Sequence, residues 1–208
     1  MPAPRFDAMN VYFSKKIGDP VANASTTTPN SGLTDDERDT YLNRAMMKLF
    51  NMKWNEVLGD VEKFIQLFPE LYIPMPLTAN SSGIVPSGLP NGYKNYKRPV
   101  EGYLTSGTRI KFVENILYPT VKNSKHKHYL PSTTNLFGFE IGGNFEFFPK
   151  APFNSQTFTI MIIKLPLQST GAVFTNGGAE DIPFYPDWDE LIVETALQIW
   201  REDNQGGA

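Results

Sequence analysis

A helical stripe near the C-terminal end of the sequence constrains the fold more than any other feature. Its members recur at steps of three and four, a spacing that stacks side chains on one face of an α-helix. They are Trp188, Leu191, Ile192, Thr195, Ala196, Ile199 and Trp200. Pro186 suits the first helical turn, where a backbone N–H has no helical partner. We therefore predict a helix over 185–204, whose broad apolar face another part of the chain must cover.

One other stretch, 34–69, has a comparable helical pattern. Thr34 and Glu37 match a capping box, in which each side chain satisfies a free backbone N–H at the helix start. The apolar residues that follow at helical spacing are Tyr41, Leu42, Ala45, Met46, Leu49, Phe50, Trp54, Val57, Leu58, Val61, Phe64, Ile65 and Phe68. Asn51 and Gly59 interrupt the pattern, so one bent helix and two helices both remain open. We predict that these faces cover the C-terminal stripe.

Two further stretches carry few apolar residues in a regular period. Residues 1–33 are rich in Ser, Thr, Asn, Ala and Pro from position 18 onward, a composition that buries little apolar surface. We predict an extended N-terminal arm that becomes ordered only in an assembly. Residues 70–100 are rich in Pro, Gly, Ser and Asn, and we predict a long loop there.

Between 101 and 166 the pattern changes to that of β-strands. Branched and alternating residues occupy 109–117, 136–148 and 156–165, with a glycine pair at 142–143 that suits a hairpin turn. We predict an antiparallel sheet of roughly four or five strands. The predicted fold is α+β: a small helical core, formed by N-terminal and C-terminal helices, with an inserted antiparallel β-sheet in a single domain over 34–205.

Composition excludes several classes of function. The chain has 208 residues, a net charge of -3 and no cysteine. Disulfides, thiolate catalysis and sulfur-ligated zinc are therefore excluded, and a dominant role in nucleic-acid binding is disfavoured because it usually requires a basic surplus. The sequence contains neither an apolar run of the ~20 residues that cross a bilayer nor a signal-peptide pattern, so we expect a protein made in the cytoplasm that does not contact a membrane.

A short basic segment contains both histidines of the chain. Two histidines two positions apart on a strand would face the same side and could bind a metal, but the neighbouring lysines would repel a cation. A solvated basic tip that contacts DNA phosphates or an acidic partner is the preferred interpretation. The candidate contact residues are Lys122, Lys125, His126, Lys127 and His128, together with Lys94, Lys97 and Arg98.

Other polar groups do not assemble into a recognisable catalytic motif. The carboxylates near 180–190 are explained by a polar loop and a helix start, and the glycine pairs lack the context that cradles phosphate. No serine lies in a Gly-x-Ser-x-Gly elbow. Aromatic residues between 145 and 158 are typical of sheet core. We expect a protein that is not an enzyme and needs neither cofactor nor metal.

Two local pieces and the order of elements resemble the head–tail connector proteins of tailed bacteriophages, also called adaptor or collar proteins. The first piece is the hairpin and proline-rich turn at 141–152 followed by the strand at 158–165. The second is the proline-marked segment 181–188 that leads into the helix at 189–200. The resemblance spans residues 34–203 and leaves the N-terminal arm outside.

This resemblance implies a structural virion protein in the neck, at the head–tail interface. It implies a homo-oligomeric ring, twelve-fold in the family, that binds the portal protein, extends the DNA channel and presents a face to tail or further neck proteins. Double-stranded DNA passing through the channel is a further implied partner. Two alternatives remain open: another neck or tail component, such as a stopper or tube protein, and a ligand- or carbohydrate-binding β module.

Overall fold

The structure is a computed structural model that describes residues 5–18, 33–58, 60–80, 84–85, 96–123, 130–141, 144–153, 156–168 and 170–205. The described helices are α1 (Arg5–Lys16), α2 (Asp35–Glu56), α3 (Val61–Leu67), α4 (Tyr118–Asn123) and α5 (Asp189–Gln205). The described strands are β1 (Tyr72–Thr78), β2 (Ile84–Val85), β3 (Tyr96–Leu104), β4 (Arg109–Phe112), β5 (Leu136–Ile141), β6 (Asn144–Phe148) and β7 (Thr157–Lys164). The fold is α+β with helices at both ends, as predicted.

The described chain divides into two compact units. The helical unit comprises Met1–Leu71 and Leu165–Ala208, and the sheet unit comprises Tyr72–Lys164. The sheet unit is thus an insertion in sequence between the two parts of the helical unit. Its bounds include the stretch 72–100, which the sequence suggested was a loop.

The capping box at the start of α2 is present, and α2 and α3 are separate helices. Thr34 accepts a hydrogen bond from the Glu37 backbone N–H, and the Glu37 carboxylate accepts one from the Thr34 N–H at 2.7 Å. The break follows α2 at Leu58, whose φ of 53° is left-handed and whose side chain is 93% exposed. Asp60 then caps α3. Asn51 lies within α2, so only the second suspected interruption marks the break.

The predicted cover of the C-terminal stripe is confirmed, with one shift of its face. Helix α5 contacts α1 and α2 and starts after a 3-10 turn at Pro186–Trp188. Its buried apolar residues are Ile192, Val193, Ala196, Leu197 and Ile199. Leu191 was placed on the buried stripe, but it is 42% exposed. The sequence offers apolar residues on both flanks of Ile192, and packing against α1 and α2 selects the flank of Val193 and Leu197.

The prediction of an extended arm over 1–33 is wrong for residues 5–16, which form α1. Phe6, Met9 and Phe13 are buried at steps of three and four, and α1 contacts both α2 and α5. Burial of three large side chains stabilises α1 against the rest of the helical unit. Order that depends on assembly stays a prediction. Residues 19–32, the rest of the predicted arm, lie outside the described residues.

The sheet has seven described strands in the order β1-β7-β3-β4-β5-β6-β2. The predicted number of strands, four or five, was too small, and the strands are not all antiparallel because the neighbouring pair β4 and β5 is parallel. A parallel pair requires a crossover of a dozen or more residues. The connection between Phe112 and Leu136, which contains α4, is long enough for such a crossover. The strand predicted over 109–117 therefore ends at Phe112, where this connection begins.

The prediction of a loop over 70–100 is wrong where β1, β2 and the start of β3 lie. Strand β1 is at one edge of the sheet and contains Pro74 and Pro76. Prolines cannot donate to a ladder and are tolerated where an edge strand faces away from its neighbour. Just beyond β1, Ala79 donates its backbone N–H to the Gln156 carbonyl oxygen. The backbone N–H and C=O groups of the odd-numbered residues of β1 therefore point toward β7, and the two prolines occupy positions whose backbone groups point to the outer edge.

Both faces of the sheet carry apolar clusters. The larger cluster includes Met75, Ile110, Phe147, Phe158 and Ile160, all buried. On the other face, at β5 and β6, a smaller cluster of Val121, Phe137 and Phe139 forms where α4 packs against β5. The aromatic residues predicted as sheet core are confirmed as such for the four that are buried, Phe145, Phe147, Phe153 and Phe158.

Candidate interaction surfaces

Three of the eight predicted contact residues lie among the described residues. Lys97 and Arg98 are exposed neighbours on β3, beside an irregularity in its pairing with β7. Lys122 is exposed near the end of α4, with its ammonium 5.5 Å from the ring centroid of Tyr118. The structure therefore places them on two different elements of the sheet unit. Lys94, Lys125, His126, Lys127 and His128 lie outside the described residues.

A polar cluster that sequence reasoning missed joins three strands of the sheet unit around Glu101. Its carboxylate accepts a hydrogen bond from the Tyr72 hydroxyl at 2.8 Å and pairs with Arg109 Nε at 2.8 Å. Burial opposes the charge of Glu101, but hydrogen bonds from Tyr72 and Tyr103 and the Arg109 charge outweigh it and lower its pKa. Burial and the bond to Glu101 raise the pKa of Tyr72.

This cluster contains an acid and a base, but its geometry is that of a structural link. Both oxygens of Glu101 are engaged by side chains of β1 and β4, and the lowered pKa keeps the carboxylate charged and acting as an acceptor. A general acid needs the opposite shift, and a nucleophile needs a free approach. The sequence held no local signal for it, because the partners of Glu101 come from β1 and β4, which only the assembled sheet brings near β3.

A second polar network lies within the helical unit and joins α1 to α2. The Asn10 amide donates to the Asp39 carboxylate at 2.7 Å, and Arg38 Nε donates to the Asn10 oxygen at 3.0 Å. Asp39 also accepts the Asn176 backbone N–H at 2.8 Å. Burial raises the pKa of Asp39, although the two hydrogen bonds oppose that shift. All three side chains are almost fully buried, so the network holds α1 and the loop around Asn176 against α2.

A cavity of about 330 Å³ lies beside this network, lined by residues of α2 and of the loop that contains Val173. Its principal charged groups are already occupied: Arg44 pairs with Asp203, and Asp39 is bonded as described. Asn43 exchanges hydrogen bonds with the backbone of Phe174. These three polar side chains are therefore satisfied within the protein, while Asp36, which also lines the cavity, is exposed.

A shallow groove of about 390 Å³ lies between α1 and the start of α5. We name it the α1–α5 groove; its lining residues are Ala8, Met9, Tyr12, Pro186, Asp189 and Glu190. Val11, Tyr185 and Leu191 are exposed large apolar residues on the same two segments. Arg5 forms an ion pair with Asp189 at one end of α1, and Lys16 pairs with Glu194 at the other. Together these ion pairs tie α1 to α5.

Within the described residues there is no group of three or more His, Cys, Asp or Glu side chains that could hold a metal ion. None of the helices the structure describes combines the length and hydropathy of a membrane span. Comparison with known proteins found no protein-family model that matches the chain. No curated protein matches it either.

Proposed function

We propose that this protein is a structural subunit of the neck of a tailed bacteriophage. In this role it forms a ring, twelve-fold in symmetry, that joins the portal of the capsid to the tail and extends the DNA channel. The observation that carries the proposal is the arrangement of elements: helices from both ends of the chain pack together, and a β unit is inserted between them. That arrangement is the one that the connector resemblance implies.

The proposed mechanism is passive and depends on surfaces. Lys97, Arg98 and Lys122 are exposed on the sheet unit, and in this role their charges attract an acidic partner or the phosphates of DNA in a channel. A single exposed ion pair contributes only ~0–1 kcal/mol. A ring repeats each contact in every subunit, so weak contacts add up along one docking face.

The outer edge of β1 favours a connector over a tube protein, the first alternative. Tube subunits that join their sheets edge to edge need free backbone donors along the joining strand. Pro74 and Pro76 remove two of those donors from the outer edge of β1. The β1 edge is therefore a poor site for strand addition.

The decisive experiment removes the gene from its phage and images the particles by electron microscopy. Loss of a connector leaves filled or leaking heads without attached tails, and the purified protein restores tail attachment when it is added back. Fully tailed, infectious particles without this protein would reject the proposal.

A second experiment tests the basic segment as a docking surface. Changing Lys122, Lys125 and Lys127 to Glu together should strongly weaken docking in a tail-attachment assay while the subunit stays folded, since exposed charges contribute little to stability. The matched control changes Lys48, Lys53 and Lys63 to Glu; these lysines lie on α2 and α3 and pair with Glu202, Glu56 and Asp60. Equal losses for both triples would show that net charge, and not this segment, governs docking.

A further inference from the structure

The α1–α5 groove has the surface of an incomplete interface. Tyr12 lines it and is 36% exposed, while Leu191 and Tyr185 lie exposed nearby on the segment that forms its other wall. On the same two helices, Phe6, Phe13 and Leu197 face the core. Several exposed apolar residues around one concavity are typical of a site that a partner covers.

The charges at the rim of the α1–α5 groove define the kind of partner. Asp189 is neutralised by Arg5, and Glu194 by Lys16. Asp187 and Glu190 are exposed and have no ion-pair partner among the described residues. The groove thus combines an apolar wall with an acidic rim, which fits a segment that carries large apolar side chains next to lysines.

We propose that the occupant is the segment 122–130 of a second copy of this chain. Both of its ends are described and accessible: Lys122 is exposed, and Leu130 is 48% exposed. Between them the sequence places Lys125 and Lys127, and two large side chains, Tyr129 and Leu130, follow at the end of the same short span. This composition complements both the wall and the rim of the groove.

The contact joins two different surfaces, a groove on the helical unit of one copy and a segment from the sheet unit of the next. Such a heterologous contact repeats from subunit to subunit and closes into a ring when its rotation permits. The inference therefore rests on the proposed ring-forming function and names the residues that would join neighbouring subunits.

The test uses a synthetic peptide of residues 120–131, titrated into the full chain and followed by isothermal titration calorimetry. We expect saturable binding that weakens as salt is raised, because charges contribute to it. Glu190→Lys should weaken binding about tenfold, since a lysine of the peptide then faces a like charge. The matched control is Glu62→Lys, which reverses an exposed carboxylate in the first turn of α3, away from the α1–α5 groove.

A second peptide tests whether the occupant is correctly identified. The peptide of residues 91–99 carries the same number of Lys and Arg side chains, at Lys94, Lys97 and Arg98, and two tyrosines. Equal binding of both peptides, equal weakening by Glu62→Lys and Glu190→Lys, or absence of saturable binding would each overturn the inference. Thermal melting of the two variants shows that both remain folded.

The peptide titration is separate from any test of the ring. Native mass spectrometry of the intact chain measures assembly, and Glu190→Lys is expected to shift it toward the single subunit. If wild-type chain assembles into a ring and Glu190→Lys assembles equally well, the groove contact is wrong while the ring proposal stands. If the peptide binds as expected but deleting the gene leaves infectious particles, the neck function is wrong while the groove contact stands.

Discussion

Helices α1 and α5 lie in the same unit and contact each other, yet only α5 could be predicted from the sequence. Helix α5 buries five aliphatic residues, and its period is visible at once. Helix α1 buries Phe6, Met9 and Phe13 at the same spacing, but Asn10 and Ser14 complete its buried face. The difference shows that a buried helical face can include a polar residue such as Asn10 when the partner helix supplies its hydrogen bonds.

The partners of Asn10 explain why its burial has no local signal. It bonds to Arg38 and Asp39, which follow it by 28 and 29 positions. The sequence around an asparagine does not reveal whether its amide bonds to water or to a side chain far away in the chain. Only the packing of α1 on α2 distinguishes these two environments.

The largest expected effect tests the face of α5. Ile192→Asp places a charge in the apolar core and should destabilise the subunit by several kcal/mol, roughly 4 or more. Leu191→Asp, one position away and exposed, should change the free energy of unfolding by only about 0.5 kcal/mol. Urea unfolding followed by tryptophan fluorescence measures both. Similar losses for the two variants would contradict the buried face described for α5.

The next variant tests whether α1 belongs to the core of the isolated subunit. Phe13→Ala removes a fully buried ring and should cost about 3–5 kcal/mol. Val11→Ala on the exposed side of the same helix should cost less than about 0.5 kcal/mol. The measurement uses dilute, unassembled protein. If Phe13→Ala were neutral there, α1 would be ordered only by neighbouring subunits.

The polar part of the α1 face should contribute less than its apolar part. Asn10→Ala leaves the Arg38 Nε and one Asp39 oxygen without this partner, and we expect a loss of about 1–3 kcal/mol. Asn204→Ala is the control, because Asn204 is an exposed helical asparagine in α5. Both changes replace a helical asparagine by alanine, the better helix former. A loss no greater than that of the control would mean that the network does not stabilise the contact between α1 and α2.

The smallest effect is expected in the pH dependence of two carboxylates. Burial raises the pKa of Asp39, so its midpoint should lie above the ordinary value of 3.8. The hydrogen bond from Arg44 lowers the pKa of Asp203, so its midpoint should lie below 3.8. Carbon-detected NMR titration of the carboxyl groups would measure both. A reversed order of midpoints would contradict the burial of Asp39.

The signs of the two contributions to stability are opposite. For Asp39 the folded state binds more protons between the ordinary and the raised pKa, so its contribution to stability decreases as pH rises through that interval. For Asp203 the contribution is present above pH 3.8 and is lost as pH falls through the lowered pKa. Asp203 is exposed, and solvent screening keeps its contribution small.

The sequence predicted elements whose period is strong and local. Helices α2 and α5, the capping box at Thr34 and the hairpin of β5 and β6 all follow from spacing within one segment. Strand β1 was missed because Pro74 and Pro76 are typical of a loop, and only its position at a sheet edge makes them compatible with a strand. The parallel pairing of β4 and β5 was missed because the direction of pairing depends on the segment that connects the two strands. That segment shows no periodic pattern of apolar residues from which its path could be predicted.

The candidate surfaces were less predictable than the fold. The basic residues were selected by charge, and Lys97, Arg98 and Lys122 are exposed as expected for solvated side chains. The α1–α5 groove could not be predicted, because it requires α1 to be a helix and requires the start of α5 to lie beside it. Glu101 likewise gains its partners through strand pairing. In each case the missing information is a contact between residues far apart in sequence.

The insertion of the sheet unit has a consequence for the newly synthesised chain. Arg5 and Asp189 form an ion pair although 184 positions separate them. At about 5–20 residues per second, synthesis of that stretch takes roughly 10–40 s. During this interval α1 and α2 are present without α5, and the apolar faces that α5 later covers are open to chaperones and to other nascent chains. A ribosome that stalls after Lys164 therefore releases a product whose sheet unit has all its strands and whose helical unit has lost its cover.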